Sequence, residues 1–192
     1  MPARHSRTPA GFTLIELVIG IMVFAIAISL FISLIVPQAR QSVDPILQVR
    51  ATELAQSLMG EIASKSFDEN SSRNGGTSRC NENANPCSAS SVLGKDGSET
   101  RNTYNDVDDY HGLVESGGGI QNSFGASISL NGKLLYEGFR LKVIVYYDDN
   151  MDGVDDAIAG GSAYIGNSKL ISITVTTPTN EDIMFSSYRS NY

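Results

Sequence analysis

Histidine and cysteine, which supply many catalytic bases and metal ligands, are scarce in this sequence of 192 residues. The two histidines are His5, near the amino terminus, and His111, and no recognisable nucleophile motif accompanies them. We therefore expect no enzymatic activity, although a site built from carboxylates alone stays open. The two cysteines, Cys80 and Cys87, lie close together, which favours a small disulfide loop over a four-ligand metal site, with free thiols as the alternative.

Basic residues are also few, with 14 Lys and Arg against 21 Asp and Glu, for a formal net charge of -7. The first eleven residues contain Arg4 and Arg7 but no acid. A chain without them would therefore have 12 bases against 21 acids, a net charge of -9. Nucleic acid is not expected as a partner of so acidic a protein.

One long apolar run, FTLIELVIGIMVFAIAISLFISLIV, occupies residues 12–36. A helix of about 25 residues, rising about 1.5 Å per residue, crosses a hydrocarbon core of roughly 30 Å, so the run predicts a transmembrane helix. The basic residues before it predict a cytoplasmic amino terminus and a carboxy-terminal part on the other side of the membrane. A cleaved secretory signal is disfavoured, because the run is too long and is followed by Pro37 rather than by a small-residue cleavage site.

A single ionisable residue, Glu16, interrupts this apolar run, where a carboxylate is costly unless it has a partner or reaches water at the membrane surface. The run GFTLIE at 11–16 resembles the processing motif of type IV prepilins. The resemblance implies that prepilin peptidase cleaves after Gly11 and that the new amino-terminal Phe12 is N-methylated. It also implies that Glu16 pairs with the amine of a neighbouring subunit, so that assembly relieves the buried charge.

The segment at 37–64 is predicted to be an amphipathic stalk helix. Pro37 and the pair Asp44-Pro45 predict a kink or restart near its beginning. Apolar residues then recur at spacings of three and four, which predicts one stripe that packs on a sheet. These residues are Ala51, Leu54, Ala55, Leu58 and Ile62.

The remainder, 65–192, is predicted to be an extracytoplasmic domain with a loop-rich part at 65–120 and a sheet at 125–190. The loop-rich part has little periodicity, and Asn131-Gly132 indicates a hairpin turn in the later part. Alternating apolar residues predict four or five antiparallel strands. Their predicted ranges are 127–130, 133–136, 139–147, 170–176 and 183–188. The expected fold class is α+β, with a long pilin-like amino-terminal helix packed on the sheet.

Two acidic segments are candidate binding sites. The run DDNMDGVDD at 148–156 places oxygen ligands on Asp148, Asn150, Asp152 and Asp156, with a glycine at the sixth position, as at the start of a calcium loop. No glutamate stands at the twelfth position, so the choice is between a weak calcium site and a solvated turn. The run YNDVDDYHG at 104–112 is read as a polar loop with aromatic anchors, and a binding surface is its alternative.

Two stretches resemble the minor pilins of the mannose-sensitive haemagglutinin (MSHA) pilus system: residues 41–70 and the run at 104–112. This resemblance implies an inner-membrane protein with a periplasmic carboxy-terminal domain that later enters a pilus at the cell surface. Prepilin peptidase and other major and minor pilins are the implied partners, and no cofactor other than the possible calcium is expected. A minor pseudopilin of a type II secretion or DNA-uptake system, and a membrane-anchored adhesin, are the alternatives.

Overall fold

The computed structural model describes residue 11 and residues 13–41, 44–71, 79–82 and 84–191. The chain divides into two compact units, residues 1–45 and residues 46–192. Each unit is described by itself below.

The first unit contains helix α1, Leu14–Gln41, which continues through Pro37. Its window Leu14–Ser33 has a mean hydropathy of 2.7 and none of it is buried within the protein. The hydroxyls of Ser29 and Ser33 donate hydrogen bonds to carbonyls of the preceding turn, at 2.8 and 2.7 Å. These bonds satisfy the hydroxyl donors of two serines in the apolar helix, as a helix surrounded by lipid requires.

Helix α2, Asp44–Ala63, begins at the predicted Asp44-Pro45 restart, because proline is well tolerated in the first turn of a helix. Its apolar stripe is buried as the spacing predicts, and Ala51, Ala55 and Ile62 are fully inaccessible. This stripe shares one core cluster with the inward side chains of the sheet. Helix packing on a sheet is therefore confirmed, and with it the α+β class.

The strands, in chain order, are β1 (Val114–Ser116), β2 (Ser129–Leu130), β3 (Lys133–Leu134), β4 (Arg140–Tyr147), β5 (Ser168–Thr176) and β6 (Asp182–Ser190). The main sheet has the order β1-β4-β5-β6, and every neighbouring pair in it is antiparallel. Its core face carries alternating side chains of β4 and β5 that are almost completely buried, as the alternation predicts. They are Leu141, Val143, Val145, Ile171, Ile173 and Val175.

Two strand assignments differ from the prediction. The hairpin around Asn131-Gly132 forms, with positive φ at both turn residues, but its strands β2 and β3 pair only with each other. Strand β1 instead completes the main sheet from within the stretch that was predicted to be loop-rich. Three residues beside a glycine-rich run are too few for alternation to be read from the sequence.

The other described residues of the 65–120 stretch are mostly irregular, and several of them are buried in the core clusters. The stretch contains single 3-10 turns at Ser90–Val92, Asp108–Tyr110 and Gly117–Gly119. A parallel bridge joins Ser66 to Asp106, with the backbone N–H of Val107 donating to the carbonyl of Ser66 at 3.0 Å. This bridge brings together two parts of the stretch that are 40 residues apart in sequence.

Candidate functional site

The candidate processing site lies at the beginning of α1. Gly11 is exposed, Phe12 lies outside the described residues, and Glu16 stands in the first turn of the helix. A Cβ added to Gly11 would meet no atom of the described residues within 4 Å. The described part of the fold therefore gives no steric reason for glycine at this position, whereas recognition by an external protein such as a peptidase would give one.

Glu16 is exposed on a helix whose neighbouring side chains are apolar. Leu14, Ile15 and Leu17 are 83%, 64% and 58% exposed, and no ion pair involves Glu16 among the described residues. The helix amino terminus stabilises a carboxylate in the first turn by about 0.3–1 kcal/mol, which is less than the several kcal/mol that lipid burial costs. A stable position in the membrane therefore requires a partner from outside this chain or contact with water.

Cys80 and Cys87 form a disulfide in the second unit, with their Cα atoms 4.8 Å apart. Both sulfurs are buried in a small cluster with Phe67 and Tyr147. The Asp68 carboxylate also lies within 4.8 Å of both sulfurs, but sulfurs bonded to each other are not the thiolates that a metal needs. The bond joins two parts of the irregular stretch that have little core of their own.

The loop at 148–156 uses its carboxylates internally. Asp148 accepts hydrogen bonds from the backbone N–H of Asp152 and Gly153 at 3.1 and 2.8 Å, and from the Tyr188 hydroxyl at 2.6 Å. Asp156 accepts the backbone N–H of Asp149 at 2.7 Å. Asn150 bonds both the backbone and the side chain of Asp152.

In the part of the chain that the structure describes, the carboxylates of Asp148, Asp152 and Asp156 do not converge within 4.8 Å of one another. Asp148 already has hydrogen-bond donors on both oxygens. Calcium at this loop stays a prediction, and a calcium-dependent rise in the thermal unfolding midpoint would test it.

The acidic segment at 104–112 is not the polar surface loop that the sequence suggested. Asp106, Asp108 and Asp109 are only 2–4% exposed, and Val107 and Tyr110 are fully buried. Asp109 accepts the backbone N–H groups of Asn105 and Asp106 at 2.8 and 3.2 Å. The carboxylates thus form the inside of the turn, and no external binding surface is made of them.

Sequence reasoning missed the cation that faces these acids. Lys169 on β5 is completely buried, and its Nζ donates to Asp108 Oδ1 at 2.8 Å, to Asp68 Oδ2 at 3.4 Å and to the carbonyl of Phe67 at 2.8 Å. The Phe67 and Tyr147 rings lie 4.4 and 5.3 Å from Nζ. The alternation of β5 was the available signal, because Lys169 shares the inward face with Ile171.

A second buried cluster joins α2 to the sheet. Arg101 reaches both carboxylate oxygens of Glu61, and its Nε lies 3.6 Å from Glu115. The Tyr110 hydroxyl donates to Glu61 at 2.6 Å, and the guanidinium lies 4.9 Å from the Tyr110 ring centre. Burial opposes ionisation of Glu61, but the hydrogen bonds from Arg101 and Tyr110 outweigh it and lower its pKa, whereas burial raises the pKa of Glu115.

Comparison with known proteins places the recognisable signal at the amino terminus. Residues 6–35 match the family model described as the prokaryotic N-terminal methylation motif. Neither the curated proteins nor the solved structures gave a match to the chain. The motif implies processing by prepilin peptidase and assembly with other pilins. The chain is therefore a prepilin-like protein whose single apolar amino-terminal helix fits an inner-membrane-anchored pilin.

Proposed function

We propose that this protein is a minor pilin of an MSHA-type type IV pilus, resembling the minor pilin MshD, with a role in assembly or initiation rather than in catalysis. The observation that carries the assembly role is Glu16, a carboxylate set among exposed apolar side chains near the start of α1. Cleavage after Gly11 creates a free amine on Phe12, four residues before Glu16, so each processed subunit offers both a cation and an anion.

The energetics favour pairing between subunits. A carboxylate at the centre of a membrane-spanning helix costs about 2.5–3.5 kcal/mol on insertion scales, and less near the surface. The amine of Phe12 and the carboxylate of Glu16 are four residues apart in the chain, so a neighbour displaced along the filament can bring its amine beside Glu16. Filament formation then relieves a cost that the isolated subunit bears.

The narrower MSHA assignment is supported by the two resembling stretches, which contact each other in the fold. The first contains Ser66 and Asp68 near its end, and the second contains Asp106 and Asp108. Ser66 bridges to Asp106, and Asp68 and Asp108 both contact Lys169. The resemblance therefore covers one packed part of the domain rather than two unrelated surface loops.

The experiment is intact and amino-terminal mass spectrometry of the full chain from membranes with and without prepilin peptidase. We expect a start at methylated Phe12 only when the peptidase is present. Pili sheared from cells should then contain the processed protein in small amounts. An intact leader in both membranes would favour the anchored adhesin, and processed protein absent from pili but bound to a secretion or uptake machine would favour a pseudopilin.

Replacement of Glu16 tests the assembly role separately from processing. Glu16→Ala should be inserted and cleaved normally, because Gly11 is unchanged, yet it should enter pili poorly. Glu53→Ala, which removes an exposed carboxylate from α2, is the matched control and should enter normally. Equal incorporation of the two variants would contradict the pairing role of Glu16.

A further inference from the structure

The buried site around Lys169 brings together the three chemical groups that amide formation needs. The Lys169 amine lies one hydrogen bond, 2.8 Å, from a carboxylate oxygen of Asp108. An oxygen of a second carboxylate, that of Asp68, lies 3.4 Å from the same amine. The site thus holds a nucleophile, a carboxyl electrophile and a second carboxylate that can carry a proton between them.

Water is excluded from this site. Lys169 and Asp68 are 0% exposed, Asp108 is 4% exposed, and the Phe67 and Tyr147 rings cover the amine. Amide formation releases a water molecule, and bulk water favours the reverse reaction, hydrolysis. A site without bulk water therefore favours the amide. A buried environment also favours the uncharged product over an ion pair, since charged groups are costly to keep desolvated.

The carboxyl groups around the amine differ in their surroundings. Asp68 accepts the backbone N–H groups of Asn70 at 3.0 Å and Ser88 at 2.8 Å, in addition to the amine. These fixed donors hold the Asp68 carboxylate in position with one oxygen beside the amine, where it can pass a proton from the nitrogen to a departing hydroxyl.

We propose that Lys169 and Asp108 form an intramolecular isopeptide bond. Nζ gives one proton to the Asp108 carboxylate across their hydrogen bond and then attacks Cγ of the resulting carboxylic acid. Asp68 relays a second proton from the nitrogen to the departing hydroxyl, which leaves as water while the carbonyl re-forms. The new C–N bond replaces the C–OH bond, Asp68 ends with the charge with which it began, and no oxidant or cofactor is required.

The bond would join residues 61 positions apart and fasten the 3-10 turn Asp108–Tyr110 to β5. The disulfide lies within the irregular stretch at 65–120, so among the described residues the side-chain contacts between that stretch and β5 are non-covalent. A covalent link at this point would keep the stretch attached under load. The inference does not depend on which filament the protein enters.

The test is the intact mass of the full chain, purified from membranes in detergent after reduction of the disulfide. The wild-type protein should be lighter than its processed sequence by one water. Lys169→Met and Asp108→Ala should each have the full mass of their processed sequence, without the loss of water. The exposed Lys142→Met on β4 and Asp182→Ala on β6 are matched controls and should retain the loss.

Tryptic digestion should locate the bond. Trypsin cannot cleave after an acylated Lys169, and the peptide that contains Asp108 should be found attached to it. A wild-type mass equal to the sequence mass would overturn the proposal. Persistence of the water loss in Lys169→Met would also overturn it, because it would place the dehydration elsewhere, for example as a succinimide at Asp152-Gly153.

Asp68→Asn tests the proton relay. This variant should fold and form its disulfide but retain the full mass, or lose water much more slowly than the wild type. Dehydration at the wild-type rate would remove Asp68 from the mechanism.

Discussion

Arg101 is the cation on which the junction of α2, the irregular stretch and the sheet depends. Its side chain is 6% exposed and faces Glu61 on α2 and Glu115 on β1, which are 14% and 9% exposed. Arg101→Met keeps much of the aliphatic volume but leaves both carboxylates without their guanidinium. Breaking a buried ion pair in this way typically costs about 3–5 kcal/mol, because an uncompensated charge is left behind.

The variant should therefore unfold at a lower temperature by roughly 6–20 °C, taking about 2–4 °C per kcal/mol for a protein of this size. The measurement is thermal or urea unfolding of the full chain in detergent, followed by the near-ultraviolet signal of its tyrosines. Arg140→Met, on the exposed face of β4, is the matched control and should change stability by less than about 0.5 kcal/mol.

The pH dependence separates a charge effect from a packing effect. In the wild type the pKa of Glu61 is lowered, so its contribution to stability is present above its ordinary value of 4.5 and is lost as the pH falls through the folded-state value. Without the guanidinium, burial should raise the pKa of Glu61, and the variant should regain stability as the pH falls. The difference in unfolding free energy should thus be smaller near about pH 5 than near about pH 7.5.

A double variant completes this prediction. Glu61→Gln should recover part of the loss in Arg101→Met, because it removes one of the two stranded charges. A loss below about 1 kcal/mol, or one of equal size at both pH values, would refute the view that charge pairing holds this junction.

Two further predictions concern the packing of the second unit. Leu54→Ala, at a buried position on the inward stripe of α2, should lower the unfolding free energy by about 2–5 kcal/mol. Val49→Ala, at an exposed position on the same helix, should lower it far less. Equal effects would contradict the orientation of α2. Replacing Cys80 and Cys87 together by serine should destabilise the unit by about 2–3 kcal/mol. The measurement is urea unfolding under oxidising conditions. An unchanged unfolding midpoint would show that the short loop is held by packing alone.

Local patterns were sufficient to predict the helices and the long strands. The spacing of apolar residues in α2 and the alternation in β4 and β5 each report which side of one element is buried. The hairpin turn was predictable because Asn131-Gly132 accepts positive φ at little cost. In each case the physical cause lies within a few residues of chain.

The second unit's charge clusters could not be predicted in the same way. Asp108 and Lys169 are 61 positions apart, and Glu61 and Arg101 are 40 positions apart. Whether an aspartate in a Ser- and Gly-rich stretch is solvated or buried depends on which strand passes beside it, and local composition carries no information about that neighbour. For this reason the sequence predicts a polar loop at 104–112, whereas the structure buries its acids.

The sequence by itself determined the membrane helix, the prepilin-type junction at 11–16 and the single carboxylate within the apolar run. These features depend on a continuous run of side chains that contacts lipid and is recognised by other proteins. The rest of the chain does not have to fold to create them. Only the tertiary structure decided that Lys169 lies between Asp68 and Asp108 in a site closed to water. Burial and the approach of distant side chains arise when the irregular stretch packs on the sheet, and the chemistry of that site follows from this packing.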